Sequence, residues 1–585
     1  MDNEIFKKLN NKGRVLRFER DSDFIAKRAD GKRQQNDPVN AAALYWAALE
    51  RRPDDHDILL ALADVLSDMQ RFVDSNHLLI PHMHEDEYFM KEAYCRVGFN
   101  FFAIGEYDAA HRCFDRFFEL TDEVSERTDV IVDALELMDS MEDNEPFIKD
   151  AAATILEDRL IEAHELIGKN EFSKAKGIIQ ELKNEYPEDE RVTYDLALAC
   201  MCEKEYGEGI GHLDELLSKN SDNFQALSLK LIYARNVNDE LMMASVCKNL
   251  ERCEPESPEV LMPILGIILD SGRTELALNL AGRVYRKLPY DCLANHLLAL
   301  CYIKQGLYKK ASALYSKLVS INRNDCIARF YLNKCSEETP VFTHLGMEGM
   351  TRYQLPLFDV MENIKRLAHV GSLSADEILE KWRTDASFKE LVRWGFTMRE
   401  FSLSYSLLNM LRLIGDEEAQ LIMRETVIDP ETNQVLAHEA LGMLKSLDAP
   451  EPYFTFANGC LLEGRVSMVD LAEWHVPKQY RLIFPRFHSI AADIYDIEVY
   501  ASASGIMESF LSKHKGVFPP LDEARSIALS AALECAACKN CGVEVKDDIL
   551  ERYGITQRRL TNAIDRMVNM LLLPELHDDE GGDNR

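Results

Sequence analysis

Basic charge is what this 585-residue chain is short of. Lys and Arg total 67 against 100 Asp and Glu, for a formal net charge of −33 and a pI near 4.9. A broad nucleic-acid-binding face normally announces itself as a basic patch, and this balance argues against one. It favours solubility first and basic partners second. Long apolar runs are missing too. The longest, Leu261 to Leu269, has nine residues and contains Pro263. A bilayer-spanning helix needs about 20, so a soluble chain with no membrane partner is expected. Met1 to Arg20 carries charge throughout and offers no apolar stretch for a secretory signal. The 14 cysteines lie mostly singly on helical patterns. Without a signal, they read as reduced thiols in a cytoplasm, most of them small core residues.

Catalytic signatures are absent as well. There is no Walker-type phosphate loop, no GxSxG and no kinase set. His438-Glu439 lacks the second histidine that a zinc-protease helix requires. Cys535, Cys538 and Cys541 spell CxxCxxC, but Gly542 to Asp548 supplies no fourth cysteine, as a ferredoxin-type run would. The same spacing suits an Ala-rich helix. His77, His82, His84, Glu85 and Asp86 cluster at the end of a repeat, where polar loops are common. No catalytic residue, metal or cofactor is therefore expected, and the chain reads as non-enzymatic.

What the chain does have is a 34-residue beat through its first 330 residues. Tyr94, Val97, Gly98, Phe101, Gly105, Tyr107, Ala110, Phe114 and Phe117 give its clearest copy. Pro255 to Pro289 and Gly272 to Gly306 each span 34 positions, so the phase holds over distant copies. Large residues, then small ones, then an aromatic recur at helix–turn–helix offsets. This pattern resembles the tetratricopeptide repeat (TPR) family over about nine units. The resemblance implies an all-α solenoid in which each unit buries its apolar face only against its neighbour. Copies are weakest at residues 124–155 and 224–257, where weak joints are expected near residues 140 and 240.

The resemblance also implies that the first helix of each unit lines a concave groove. At its fifth and ninth positions stand Ala26/Asp30, Leu60/Asp64, Cys95/Phe99, Leu160/His164, Tyr194/Leu198, Ser228/Ile232, Met262/Gly266 and His296/Leu300. Chaperone-binding members carry Lys and Asn there to clamp a terminal carboxylate, and no unit here has that pair. The middle and C-terminal groove is apolar instead, through Phe99, Phe102, Tyr194, Leu198, Met262, Leu300 and Ile303. Such a stripe suits a partner helix or extended peptide. These seven are the candidate partner-binding residues of a protein–protein scaffold.

The domain plan is a leader (1–21), the solenoid (22–335), a Gly- and Pro-punctuated linker (336–372) and two helical segments (373–515 and 516–574). An acidic tail (575–585), expected to be disordered, closes the chain. Within the first helical segment, Gly415 to Leu421 followed by Asp429, Pro430, Val435, Ala440, Leu441 and Gly442 resembles a HEAT-type unit. Tyr453 to Phe456 reads as a strand or an extended turn. In the second, Glu523 to Lys539, Lys546 to Tyr553 and Gln557 to Leu572 are predicted helices. Their order resembles a helix-turn-helix or cyclin-like segment, with Arg552, Arg558, Arg559 and Arg566 as a mild basic patch. DNA contact through Arg558 and Arg559 is the alternative function, that of a peptide-sensing transcriptional regulator. The acidic flanks Asp547, Asp548 and Asp578 to Glu580 count against it.

Overall fold

A computed structural model describes residues 22–121, 126–143, 151–168, 170–255, 257–337, 353–457, 460–465, 476–491, 494–495, 497–514, 517–546 and 548–571. The leader, the acidic tail and much of the linker lie outside the described residues. The chain divides into two compact units, Met1–Leu79 with Lys91–His369, and Ile80–Met90 with Val370–Arg585.

Helix pairs build the first unit. They are α1 (Ser22–Gln34) with α2 (Pro38–Leu49), α3 (His56–Asp68) with α4 (Phe72–Leu79), and α5 (Glu87–Ile104) with α6 (Tyr107–Glu119). Helix α7 (Glu126–Asp143) follows. The pairs then resume as α8 (Ala151–Gly168) with α9 (Phe172–Glu185), α10 (Glu190–Cys202) with α11 (Tyr206–Lys219), and α12 (Phe224–Asn236) with α13 (Glu240–Leu250). Last come α14 (Pro258–Asp270) with α15 (Thr274–Lys287), α16 (Cys292–Lys304) with α17 (Tyr308–Ile321), then α18 (Cys326–Cys335) and α19 (Leu357–Val370). The described array is all-α.

Three columns of residues write the beat into the backbone. Asp189, Asn223, Ser257, Asp291 and Asp325 stand 34 apart and each precedes the first helix of a unit. All but Ser257 accept a hydrogen bond from a first-turn backbone N–H, satisfying donors the helix cannot. Ser257 is followed by Pro258, which has no N–H to satisfy and a φ already set for a helix. The second column, Asn170, Lys204, Asn238, Gly272 and Gly306, has φ between 55° and 74°. One left-handed residue there reverses the chain between the paired helices. The third column is small residues where helices cross. A Cβ built on Gly209 would lie 1.8 Å from the Tyr233 hydroxyl, so only glycine admits that tyrosine. Tyr233 in turn donates to the Ala197 carbonyl of the preceding pair.

The expected joint near residue 240 is not a break in the pattern. Asn223 and Asp239 both cap their helices, and Asn238 makes the turn between them. The sequence looked degenerate because Met243 replaces the usual small residue, yet Met243 is buried and packs in the main core. In the other weak stretch stand α7 and the start of α8, with residues 144–150 between them outside the described set.

The second unit opens with α20 (Ala375–Thr384), whose Ser374 and Glu377 form a reciprocal cap. It continues through α21 (Ala386–Phe396), α22 (Phe401–Ile414), α23 (Glu417–Ile428) and α24 (Gln434–Ser446). Gly415, at φ 66°, ends α22, and Asp416 caps α23, so the acidic turn singled out in the sequence does join two helices. Strands β1 (Tyr453–Ala457) and β2 (Cys460–Gly464) pair antiparallel, which settles Tyr453 to Phe456 as a strand. Helices α25 (Lys478–Arg481), α26 (Ile483–Ile490), α27 (Ile497–Ser512), α28 (Glu523–Asn540), α29 (Ile549–Tyr553) and α30 (Gln557–Leu571) close the unit around Tyr480, Phe487, Phe510 and Leu533. The middle of the expected helix-turn-helix is shorter than the sequence implied, beginning at Ile549 rather than Lys546.

Candidate interaction groove

The seven groove residues fall into three packing neighbourhoods of the first unit. Phe99 and Phe102 lie on α5. The Phe99 ring meets Phe114 edge-on at 5.0 Å, and Phe102 meets Tyr107 at 5.9 Å. Tyr194 and Leu198, one turn apart on α10, pack against the core around Ala197, Leu213 and Tyr233. Met262 rests on the large core of the later repeats. All five remain partly exposed.

Leu300 and Ile303 are different. They are 0% and 5% exposed and belong to the core itself, so they offer no side chain to a partner. Spacing alone placed them on the first helix's open face. Two contributions from elsewhere in the chain cover that end of the array.

The first is Tyr353, a residue of the expected linker. Its ring lies 5.2 Å from His296, and its hydroxyl donates to Asp325 Oδ2 at 2.6 Å. The Tyr331 hydroxyl donates to the Gln354 carbonyl at 3.1 Å, and Leu355 is buried beside it. His296 is thereby enclosed by Tyr315, Tyr331 and Tyr353, with the Tyr315 hydroxyl 2.9 Å from its Nδ1. Burial drives the His296 pKa down to about 3 and raises that of Asp325.

The second is the beginning of the solenoid. Trp46 Nε1 donates to the Ile321 carbonyl at 2.9 Å, and Asn322 donates to Asp74 Oδ1 at 2.9 Å. Arg71 Nη1 donates to the Tyr290 carbonyl at 3.0 Å and lies 3.0 Å from Cys292 Sγ. Arg323 pairs with Glu50. Helix α2, helix α4 and the turn before α4 thus touch the start of α16 with the turn that precedes it, and the end of α17 with the turn that follows it. Nothing in the sequence pattern flags these contacts, because they join positions more than 200 residues apart.

The alternative nucleic-acid residues lie in the second unit. Arg558 and Arg559 sit in the first turn of α30 and are exposed. The other two arginines of the patch are engaged inside the unit. Arg552 grips buried Glu534 at 2.5 Å and Asp548 at 2.8 Å, and Arg566 donates to the Tyr480 hydroxyl. In CxxCxxC, Cys535 and Cys538 lie on α28, with Cys538 fully buried, and Cys541 caps that helix. His82 Nδ1 is 2.8 Å from Glu85, and His84 Nδ1 is 2.9 Å from the Pro81 carbonyl, so each uses that nitrogen locally. Among the described residues, no helix is long and apolar enough to cross a membrane.

No protein-family model matches the chain. The TPR repeat-containing protein YvcD of Bacillus subtilis is 23% identical over 247 residues, 42% of this chain. The match spans only half the length of that relative. Among solved structures, the TPR2AB-domain:pHSP90 complex of yeast Sti1 is 15% identical, with 44% of this chain and 96% of that one covered and a TM-score of 0.20. Naa15/Naa10 bound to HypK-THB is 12% identical, with 94% and 77% covered and a TM-score of 0.26. Superpositions that loose carry no functional inference.

Proposed function

We propose, on the premise that this chain is a tetratricopeptide-repeat protein, that it is a non-enzymatic scaffold of the cytoplasm which holds a partner protein on the first unit. The observation that carries this reading is the partial exposure of Phe99, Phe102, Tyr194, Leu198 and Met262 on the first helices of their repeats. Aromatic, Leu and Met side chains, partly seated in a core and partly open, suit the apolar face of a helix or the alternate side chains of an extended peptide. The occupied end around Tyr353 narrows the proposed site to the part of the array between α5 and α14. The acidic surface favours a partner with basic flanks.

The test is affinity capture from cytoplasm with wild type and the double variant Phe99→Ala/Tyr194→Ala. The double variant is expected to lose the main captured partner while keeping its helical signal. Retention of every partner would place the binding surface elsewhere.

A further inference from the structure

Outside the groove, a cluster of metal-ligating side chains stands among the described residues of the array. Cys200 lies near the end of α10, with Glu208 and His212 one turn apart on the facing helix α11. One ligand atom of each, a thiol sulfur, a carboxylate oxygen and an imidazole nitrogen, all lie within 4.8 Å of one another. His212 Nε2 is 3.9 Å from Glu208 Oε1, too far for a hydrogen bond. That nitrogen is also buried without a hydrogen-bond partner. A buried imidazole nitrogen left without a partner, on a side chain otherwise partly exposed, calls for an explanation. Cys200 is fully buried, whereas Glu208 is exposed, which leaves a side open for entry.

The surroundings are acidic, and one cation, the Lys176 ammonium, already stands there, hydrogen-bonded to Cys200. Lys176 Nζ sits 3.1 Å from Glu208 Oε2 and 4.0 Å from Glu203, and it also contacts Glu205. Three carboxylates share this one ammonium. A divalent ion could take Glu208 while Lys176 stays with Glu205 and Glu203.

We infer that Cys200, Glu208 and His212 form a site for a borderline-soft divalent cation of the zinc class. Sulfur, nitrogen and oxygen donors in one set match zinc far better than magnesium or calcium, which demand oxygen alone. Binding forms the metal–sulfur bond as the Cys200 thiol releases its proton to solvent, and His212 enters as neutral imidazole. Water completes the fourth position. A bound ion would tie α10 to α11 inside one repeat. The inference does not depend on the scaffold reading.

The experiment uses the full chain, stripped with chelator and titrated with Co²⁺, then with Zn²⁺. Wild type is expected to show a thiolate-to-cobalt charge-transfer band, reaching one equivalent and abolished by Zn²⁺. Cys200→Ser should lack the band, whereas Cys535→Ser should retain it. His212→Gln, at a partly exposed position, should keep the fold and weaken Zn²⁺ binding on the order of tenfold or more in chelator competition. Lys176→Met should tighten binding. No band in wild type, a band that survives Cys200→Ser, or an unchanged Zn²⁺ affinity in His212→Gln would overturn the assignment.

Discussion

Gly306 shows how much one residue can carry. Its φ of 70° is left-handed, and a Cβ built there meets nothing within 4 Å. Gly306→Ala therefore costs backbone strain alone, about 1–2 kcal/mol. Denaturant unfolding should show a lower midpoint with an unchanged slope. Asn170, Lys204 and Asn238 hold the equivalent place at φ 61°, 64° and 55°, so the array already places side-chain-bearing residues in that conformation. His296 makes a second residue-scale case. Burial depresses its folded pKa to about 3, below the ordinary value near 6.5. A depressed folded pKa contributes stability that is present above 6.5 and is lost as pH falls toward 3. The unfolded chain takes up the proton that the folded chain refuses. Below pH 6.5 the loss approaches about 1.4 kcal/mol per pH unit. Thermal melts between pH 7 and 5 should fall less steeply in His296→Phe than in wild type.

At the scale of elements, the segment around Tyr353 matters more than its irregular sequence implied. It is packed onto α16, α17 and α18, and its hydroxyl is one of the groups that satisfy Asp325. Tyr353→Phe keeps the ring but removes a hydrogen bond to a carboxylate, a loss of roughly 1.5–3 kcal/mol. Chemical denaturation checks the size. Hydrogen exchange should localise the effect to the C-terminal repeats. The helix pairs were largely legible beforehand, because Gly and Pro phase, small crossing residues and aromatics are local signals. The N-cap column from Asp189 to Asp325 is an equally local signal in the chain. The packing of residues 353–355 was not legible, since no periodicity connects Tyr353 to His296.

For the whole molecule, charge and the use of arginines bear on the alternative function. A net charge of −33 repels phosphate in general, and Arg552 and Arg566 are committed within their own unit. Only Arg558 and Arg559 of the four remain exposed in the first turn of α30. Mobility-shift assays at low salt are therefore expected to show no DNA binding by wild type. A shift lost in Arg558→Ala/Arg559→Ala and steeply weakened by salt would instead favour the regulator reading.

The amino-acid order by itself determined the repeat: its 34-residue period, the helix pairs and most of their core faces. These follow from interactions between residues near in sequence, where propensity, caps and turns act. Which groove positions stay open was decided only by tertiary structure. Leu300 and Phe99 have the same rank in their repeats, yet one is sealed and the other partly exposed. Around Leu300, Trp46, Arg71 and Tyr353 return from distant parts of the chain to pack against the last repeats, and Cys200 likewise meets Glu208 and His212 across a helix pair. Contacts of that kind depend on where the chain returns in space, and a repeating pattern is silent about that.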